Sequence, residues 1–498
     1  MIYTGIENVE YITKRYDIMD IIKNDNNTML ADFYQLTMAH GYWQNRMAYK
    51  TSVFDMFFRR VPDGGGFSIM AGVEQLVEYL NNLKFTDNDI EYLRSKKCFS
   101  EKFLAYLRDF KFECDVWAIR EGTPVFPGEP VVVVRGPAAQ AQFIETMCLL
   151  TINHQCLIAT KANRMVRAAK GRTVLEFGSR RAQGASGAIL GARAAFIGGV
   201  NGTACVKADI DFGVPAAGTM AHSWVQMFET EYDAFKAYAE VYPDNCILLI
   251  DTYNVLKSGI PNAIKIAKEV LEPQGQRLKG VRIDSGDMAY LTKKMRKMLD
   301  EAGLEDCKII ASNALDENLI ADLINQGACI DTFGIGERLI VSRSEPVFGG
   351  VYKLVATEED GIYTPKIKIS ENVEKVTTPC FKQVYRFFDN ETGKALGDVL
   401  TLHDEVIDES QPYTLFHPVH TWKKKVVENY TAKPLHEPLF VKGECVYKHR
   451  DVHEIRDFCK EQVETMWPEL LRFENPQEYY VDYSKKLWTI KQELLEKF

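Results

Sequence analysis

The sequence contains no apolar run long enough to span a membrane. Its longest apolar runs, such as residues 246–250 and 131–134, fall far short of the roughly 20 residues that a spanning helix needs. The first residues, MIYTGIENVEYITKRYD, carry no apolar core of a secretory signal.

Basic residues are outnumbered by acidic ones, because 60 Lys and Arg stand against 69 Asp and Glu, for a net charge of −9. A surface that coats nucleic acid must be basic. We therefore predict a cytoplasmic protein that binds neither membranes nor nucleic acid.

Several common motifs are missing as well. The 11 cysteines are an odd number and form no CxxC pair, which predicts reduced thiols rather than a disulfide framework. The absence of GxxxxGK[ST] argues against a P-loop NTPase, and the absence of GxGxxG at a first βα turn argues against a dinucleotide-binding domain. What remains is typical of a globular enzyme: 498 residues, 46% hydrophobic and 26% charged.

The segment from about residue 138 to 350 alternates short apolar runs with helical stretches. The runs end in polar or glycine-rich loops, which predicts strands at 173–177, 246–250, 280–283, 308–311 and 330–333. Helices are predicted at 261–271, 288–302 and 316–326. This alternation predicts an α/β fold with a parallel sheet, open or closed into a barrel, and an active site at the carboxyl ends of its strands. We predict three units: an N-terminal α+β domain (1–137), the α/β unit (138–355) and a smaller C-terminal domain or extension (356–498).

One predicted strand end and one predicted helix start carry cationic candidates. Arg180 lies beside a glycine turn, where a planar guanidinium suits a phosphate or carboxylate, although an exposed arginine on a helix start is equally expected. Thr219 is a good N-cap for a helix extending to Glu240, which places His222 in its first turn. Free N–H groups there favour an anion or a phosphorylated side chain. Such a residue is more often a surface histidine, or a core histidine whose hydrogen bonds are made within the protein.

Two further strand ends carry acidic and glycine candidates. Asp284 and Asp287 lie on either side of a glycine, and their carboxylates can bind ribose hydroxyls or Mg²⁺. Asp287 is equally suited to cap the next helix. Gly334 and Gly336 form a turn that can present N–H groups to a phosphate, although a tight turn is the commoner meaning of GxG. Four further residues are of types that can bind zinc: Cys445, His449, His453 and Cys459. Their spacing matches no standard zinc site, so metal binding by these residues is the weaker interpretation.

The ordered set of these segments resembles the nicotinate phosphoribosyltransferase family. The resemblance extends over about residues 28 to 355. Its segments are Leu30-Ala31-Asp32-Phe33-Tyr34-Gln35-Leu36-Thr37-Met38, Phe54-Asp55-Met56-Phe57-Phe58-Arg59-Arg60, 176–184, 218–223, Asp251-Thr252-Tyr253-Asn254, 281–287, Ser312-Asn313 and Gly334-Ile335-Gly336. It implies an irregular α/β barrel of the type II phosphoribosyltransferase kind beside an N-terminal α+β domain. It also implies a homodimer that joins nicotinate to phosphoribosyl pyrophosphate, releasing pyrophosphate, with Mg²⁺ present and with ATP hydrolysis coupled to the reaction.

The resemblance also implies roles for individual residues. Phe177 and a Tyr34 from the partner subunit would sandwich the pyridine ring, a preference common to flat rings. His222 would be the phosphorylated histidine. The nicotinate pocket would be lined by Thr219, Asp251 and Arg282. The phosphoribosyl group would be held by Arg180, Asp284, Gly334 and Gly336, with Ser312 among the substrate-binding residues and Asp287 at the metal.

One residue departs from the family's pattern. Many relatives have Thr after the GIG turn, where this chain has Glu337. A carboxylate beside a phosphate is unfavourable unless it points away or is paired, so Glu337 is left out of the predicted site.

Two alternatives remain open. One is a related phosphoribosyltransferase that uses nicotinamide or quinolinate. The other is a non-catalytic barrel that binds nucleotide as a sensor or scaffold, which the retained Arg180, His222, Asp284 and Asp287 disfavour.

Overall fold

The computed structural model describes residues 26–372 and 375–497. The first 25 residues of the predicted N-terminal domain, which include the segment searched for a secretory signal, lie outside the described residues. The described part of the chain is a mixed α/β structure whose helices are all too short or too polar to cross a membrane. All 11 cysteines carry free thiols.

A six-stranded parallel sheet confirms the alternation predicted between residues 138 and 350. Its strands are β1 (Thr173–Glu176), β2 (Gly202–Thr203), β3 (Ile247–Leu249), β4 (Gly280–Ile283), β5 (Lys308–Asn313) and β6 (Thr332–Ile335). Apolar side chains such as Val281, Ile283 and Phe333 are 0% exposed. Burial of this kind is expected for a parallel sheet, because connecting helices cover its faces.

The strand order of this sheet is β2-β1-β6-β5-β4-β3. Strands β2 and β3, which are consecutive in the chain, therefore lie at opposite edges of the sheet. This is the strand order of a barrel in which the pairing between β2 and β3 is missing. Strand pairing within the described residues does not join these two edges. A parallel sheet is thus established, and closure into a barrel remains a prediction from the resemblance.

Helices connect and cover these strands. In chain order the α-helices up to the end of the parallel sheet are Phe33–Gln44, Val73–Asn81, Asp87–Ser95, Glu101–Arg108, Ala138–Ala141, Glu145–Ala168, Gly184–Ile197, Val206–Phe212, His222–Gln226, Glu231–Val241, Ile260–Ile266, Met288–Glu301, Glu317–Asn325 and Glu337–Ile340. Short turns of 3₁₀ helix lie at Pro62–Gly64, Ser179–Arg181, Pro243–Asn245 and Glu272–Gln274, and π-helical turns flank Ile260–Ile266 at Val255–Gly259 and Ala267–Leu271. The three helices predicted after residue 260 are therefore present, with their ends shifted by a few residues.

The prediction of a single helix from Thr219 to Glu240 is wrong. Two helices occupy this stretch, and the first begins at His222 with Ala221 in the N-cap position. The second begins after Thr230, whose side-chain oxygen accepts the backbone N–H of Asp233 at 3.1 Å. Because Thr230 is a strong cap in extended conformation, it restarts the helix there. Thr219 is consequently free to contact other side chains.

A seven-stranded antiparallel sheet contains strands from both the N-terminal and the C-terminal parts of the described chain. In spatial order its strands are Ile362–Pro365, Gly350–Glu359, Thr51–Phe58, Val132–Pro137, Asp115–Ile119, His436–Val441 and Glu444–Cys445. The strand Gly350–Glu359 continues across residue 355, where the sequence suggested a domain boundary. The chain that follows the parallel sheet therefore returns to the N-terminal strands before it forms its own layer.

That C-terminal layer is built on a four-stranded sheet. Its strands are Tyr430–Pro434, Lys382–Asp389, Ala395–Leu402 and Val481–Tyr483, and the helices Val452–Glu464 and Lys485–Lys497 follow later in the chain. Two small two-stranded antiparallel sheets, Ser68–Ile69 with Pro124–Val125 and Tyr413–Phe416 with Lys424–Val427, complete the strands of the described residues. A fully buried ion pair between Arg386 and Asp398 lies inside this layer.

Candidate active site

Arg282 lies at the centre of the predicted site, at the carboxyl end of β4. Its side chain is only 14% exposed. Its Nε donates to Ser312 Oγ at 2.9 Å, and its Nη1 donates to Thr219 Oγ1 at 3.0 Å. A longer contact of 3.4 Å joins its Nη2 to Asp284 Oδ1. One guanidinium therefore gathers three predicted site residues from separate loops.

Phe177 lies against this guanidinium, with the Arg282 carbon at 5.6 Å from the ring centroid. The ring occupies the space left by the missing side chain of Gly334, because a Cβ there would lie 2.7 Å from Cδ2 and Cε2 of Phe177. The backbone N–H of Phe177 donates to Ile335 O at 2.6 Å, which continues the β1–β6 pairing. Gly334 thus makes room for an aromatic ring, a role that the GxG motif alone does not indicate.

Glu176 shapes the turn that presents Phe177, and the sequence interpretation gave it no role. Its carboxylate accepts the backbone N–H of Gly178 and, at 2.6 Å, the hydroxyl of Thr203. Burial raises the pKa of Glu176, while these two hydrogen bonds and the nearby Arg180 act in the opposite direction. The signal that could have predicted this role is a glutamate at the end of an otherwise largely apolar strand.

His222 and Asp251 face each other across the site. Nδ1 of His222 lies 3.1 Å from Thr252 Oγ1, and its Nε2 lies 3.9 Å from Asp251 Oδ1. The Asp251 side chain is 1% exposed, whereas that of His222 is 42% exposed. Oδ2 of Asp251 accepts from the backbone N–H of Asp284 at 2.8 Å, and Oδ1 has no hydrogen-bond partner among the described residues.

The two carboxylates of the predicted DSGD turn have different surroundings. Oδ1 of Asp284 accepts the hydroxyl of Ser312 at 2.5 Å, so this carboxylate belongs to the Arg282 cluster. Asp287 caps the helix Met288–Glu301 by accepting the backbone N–H of Tyr290 at 2.8 Å. Capping is the alternative that the sequence left open for Asp287. Across the described ranges, the side chains form no group of three or more His, Cys, Asp or Glu suited to hold a metal ion.

The remaining predicted phosphate ligands, Arg180 and Gly336, follow Phe177 and Gly334 closely in the chain. Arg180 lies exposed in the 3₁₀ turn after Phe177, and its guanidinium forms no hydrogen bond or ion pair with the described residues. Gly336 precedes the helix Glu337–Ile340. The Glu337 carboxylate is paired with Arg343 at 2.8 Å, so its charge is compensated beside the glycine turn.

Tyr34 lies at the start of the helix Phe33–Gln44, and its hydroxyl contacts a residue outside the Arg282 cluster. The residue is 45% exposed, and its hydroxyl donates to Glu145 Oε2 at 2.9 Å. Burial raises the pKa of Tyr34 to about 12, and the contact with Glu145 acts in the same direction. Glu145 was not predicted, because it lies far along the chain at the start of another helix.

The four residues considered for zinc have other contacts. His449 Nδ1 lies 2.7 Å from a carboxylate oxygen of Glu74, and His453 Nε2 lies 3.0 Å from Gly213 O. Cys445 is exposed and Cys459 is buried. His453 and Cys459 lie on the helix Val452–Glu464, whereas Cys445 lies in the strand Glu444–Cys445 and His449 lies between these two elements.

Comparisons with known proteins match this chain along most of its length. Family models described as the nicotinate phosphoribosyltransferase N-terminal domain, the nicotinate phosphoribosyltransferase family and the nicotinate phosphoribosyltransferase C-terminal domain match residues 29–153, 173–401 and 381–491. Nicotinate phosphoribosyltransferase of Bacillus subtilis is 45% identical over 471 residues, covering 94% of this chain and 95% of that protein. The chain belongs to the nicotinate phosphoribosyltransferase family.

Other members of the family are more distant in sequence but similar in structure. The Homo sapiens nicotinate phosphoribosyltransferase is 31% identical over 516 residues, covering 92% of this chain and 95% of that protein. A crystal structure of human nicotinic acid phosphoribosyltransferase matches with a TM-score of 0.83 at 30% identity, covering 93% of this chain and 99% of that one. The mixed α/β fold expected from the resemblance is therefore confirmed.

The packing of Phe177 on Gly334 leads to a first prediction. Replacing Gly334 by Ala should lower the free energy of unfolding by about 1–3 kcal/mol, because the new methyl group overpacks the contact with the ring. Chemical denaturation measures this, with Gly218→Ala as the control, since a Cβ at Gly218 meets nothing within 4 Å. Equal stability of the two variants would show that the ring is not held against Gly334.

Proposed function

We propose that this protein joins nicotinate to phosphoribosyl pyrophosphate, giving nicotinate mononucleotide and pyrophosphate, and that it thereby returns nicotinate to NAD synthesis. The single observation that carries this proposal is the Arg282 cluster. It places a largely buried guanidinium beside an aromatic ring at the carboxyl end of a parallel sheet. A flat anionic ring needs both features, a face on which to stack and a cation for its carboxylate.

The binding roles divide between two sides of the cluster. On the base side, Arg282 and Thr219 bind the nicotinate carboxylate while Phe177 stacks on the ring. Asp251 holds the DSGD turn in place, because its carboxylate accepts the backbone N–H of Asp284. On the sugar side, Asp284 and Ser312 face the ribose.

The phosphate groups are bound by Arg180 and by the turn containing Gly334 and Gly336. Arg180 is suited to this role because it is exposed and carries no carboxylate partner among the described residues.

The chemistry follows from where charge develops. As pyrophosphate leaves, negative charge grows on its oxygens while the ribose C1 becomes cationic. The pyridine nitrogen already carries a lone pair, so the chain has to align that nitrogen and stabilise the leaving group, and a strong general base is not required.

Mg²⁺ is part of this proposal as a cofactor held mainly by substrate. The chain offers the carboxylates of Asp284 and Asp287 but no cage of protein ligands within the described residues. That donor set fits Mg²⁺, which prefers oxygen ligands and is commonly held by one or two carboxylates together with phosphates. When bound, the ion neutralises charge on the leaving pyrophosphate.

We further propose a homodimer in which Tyr34 of one subunit completes the site of the other, and a closed but irregular barrel around the parallel strands. Support for the dimer comes from Tyr34 itself, because its ring is half-exposed while its hydroxyl is anchored by Glu145. An aromatic side chain held in this way is suited to cover a pyridine ring from a neighbouring molecule. The cytoplasmic location stays a prediction from the sequence.

Base choice tests the proposed reaction directly. Nicotinate should be converted to its mononucleotide, with nicotinamide and quinolinate far poorer substrates. Arg282→Ala should weaken nicotinate binding by about 2–4 kcal/mol, because a charge-assisted contact is lost, and weaken phosphoribosyl pyrophosphate binding less. Steady-state assays with the three bases measure both effects. The control is Arg277→Ala, which removes an exposed arginine paired with Asp306. Turnover with none of the bases would support the sensor or scaffold alternative.

His222 is proposed as the residue that ATP phosphorylates, so that ATP couples to the reaction without supplying the sugar. Its ring nitrogens face a hydroxyl and a buried carboxylate, which can orient an imidazole for attack on a phosphoryl group. His222→Asn should abolish both ATP hydrolysis and the stimulation of synthesis by ATP while leaving slower, ATP-independent transfer. His420→Asn, which changes an exposed histidine of the C-terminal layer, should keep full stimulation. Retained stimulation in His222→Asn would assign the residue a structural role.

Shared active sites are testable by mixing inactive subunits. Tyr34→Ala and Phe177→Ala should each impair the homodimer, because each removes one face of the aromatic clamp. If the clamp joins two subunits, a heterodimer of the two variants has one intact site and should regain about half of the wild-type activity. Activity is measured on heterodimers purified with two different affinity tags. A heterodimer no more active than either parent would place both rings in the same subunit.

A further inference from the structure

A buried lysine outside the proposed substrate contacts joins three loops at the active-site end of the molecule. Lys161 lies on the helix Glu145–Ala168, and its side chain is 4% exposed. Its Nζ donates to Asp63 Oδ2 at 2.8 Å, to Glu317 Oε1 at 2.9 Å and to Ser344 Oγ at 2.7 Å. An ammonium group has three N–H donors, and here each one contacts a different segment of the chain.

Two of these segments extend directly from proposed substrate-binding residues. Glu317 begins the helix that follows Ser312 at the end of β5, and Ser344 lies in the loop that follows Gly336 and the helix Glu337–Ile340. A second ion pair joins the same two segments, since Arg338 donates to the carboxylate of Asp316. The turns after β5 and β6 are therefore connected to each other and to one lysine.

The third segment connects the antiparallel sheet to the same point. Asp63 follows the strand Thr51–Phe58 and has φ of 55°. Its backbone N–H donates to Glu345 Oε2 at 2.8 Å, and the other oxygen of Glu345 pairs with Arg60 at 2.6 Å. Lys161 thus bridges a turn of the N-terminal region and the loop after β6, which are also bonded to each other.

The charges in this network depend on one another because little water reaches them. Glu317 is 2% exposed, and its Oε1 also accepts from Arg164 Nε at 2.8 Å. Removing Lys161 takes the buried cation from Asp63 and leaves Glu317 with Arg164 alone, which is costly in a medium of low dielectric constant. Both loops are therefore held in one position by their charges, rather than by packing alone.

We propose that Lys161 is a positioning residue for the phosphate-binding side of the active site. It fixes the distance between the turn that carries Ser312 and the turn that carries Gly334 and Gly336, without touching substrate itself. This inference rests on the proposed function, because those turns are assigned to the phosphoribosyl group there. Misplacement of binding groups by about 1 Å is enough to cost on the order of a hundredfold in rate, so a loose network weakens binding of phosphoribosyl pyrophosphate selectively.

The test compares the KM values of the two substrates in three variants. Lys161→Met should raise the KM for phosphoribosyl pyrophosphate about tenfold or more, with a change of less than about threefold for nicotinate. Lys161→Arg should recover part of the loss, because a guanidinium can still donate to Glu317 and Asp63. Ser344→Ala removes one neutral acceptor and leaves the charges paired, so it should fold even where Lys161→Met does not. Its KM for phosphoribosyl pyrophosphate should rise in the same direction by a smaller factor.

A matched control separates positioning from general stability. Arg386→Met removes an equally buried cation from the Arg386–Asp398 pair of the C-terminal layer. It should lower the thermal midpoint without changing either KM. An unchanged KM for phosphoribosyl pyrophosphate in folded Ser344→Ala, or an equal rise for both substrates in the Lys161 and Ser344 variants, would overturn the positioning role. Failure of the wild-type protein to make nicotinate mononucleotide would instead overturn the proposed function.

Discussion

The arrangement of the candidate site depends on the need of one largely buried guanidinium, that of Arg282, for hydrogen-bond acceptors. A buried cation has to be surrounded by oxygen atoms, and these come from Thr219, Ser312 and Asp284 on separate loops. Satisfying Arg282 therefore draws the ends of β4 and β5 and the loop before His222 to one point. Phe177 then closes the cluster from above, and it is able to do so because Gly334 has no side chain.

The residues themselves were sufficient to predict the parallel sheet and the edge at which its polar loops meet. Apolar runs that end in polar loops indicate parallel strands, and the carboxyl ends of such strands meet at one edge. The roles of Phe177, Arg282 and Ser312 came from the resemblance to the family, and the structure brings these three side chains together. The start of the helix near His222 was predicted incorrectly. Thr219 and Thr230 are both good caps, and local propensity does not reveal that Arg282 uses the Thr219 hydroxyl as an acceptor.

Contacts between distant parts of the chain were beyond prediction for a different reason. Lys161 meets Asp63, Glu317 and Ser344 across separations of 98, 156 and 183 residues, and no local pattern marks such a group. The same holds for Tyr34 and Glu145, which are 111 residues apart. Arg343 was not predicted as the partner of Glu337 either. A carboxylate beside a phosphate turn is unfavourable unless it is paired, and the structure pairs Glu337 with Arg343.

The geometry around Arg282 also bears on which base the site selects. Its two shortest contacts are to the neutral hydroxyls of Ser312 and Thr219, whereas the only carboxylate of this cluster, on Asp284, lies at 3.4 Å. Hydroxyl groups satisfy N–H donors without cancelling the positive charge, so Arg282, whose ion pair with Asp284 is long, keeps part of its positive charge beside the ring of Phe177. In the proposed reaction, the one carboxylate of nicotinate would meet this positive charge. Nicotinamide carries no carboxylate and would gain only neutral hydrogen bonds, while the second carboxylate of quinolinate would add negative charge to a site that already holds Asp284 and Asp251. The proposed preference for nicotinate therefore rests on one weakly neutralised arginine flanked by two acids.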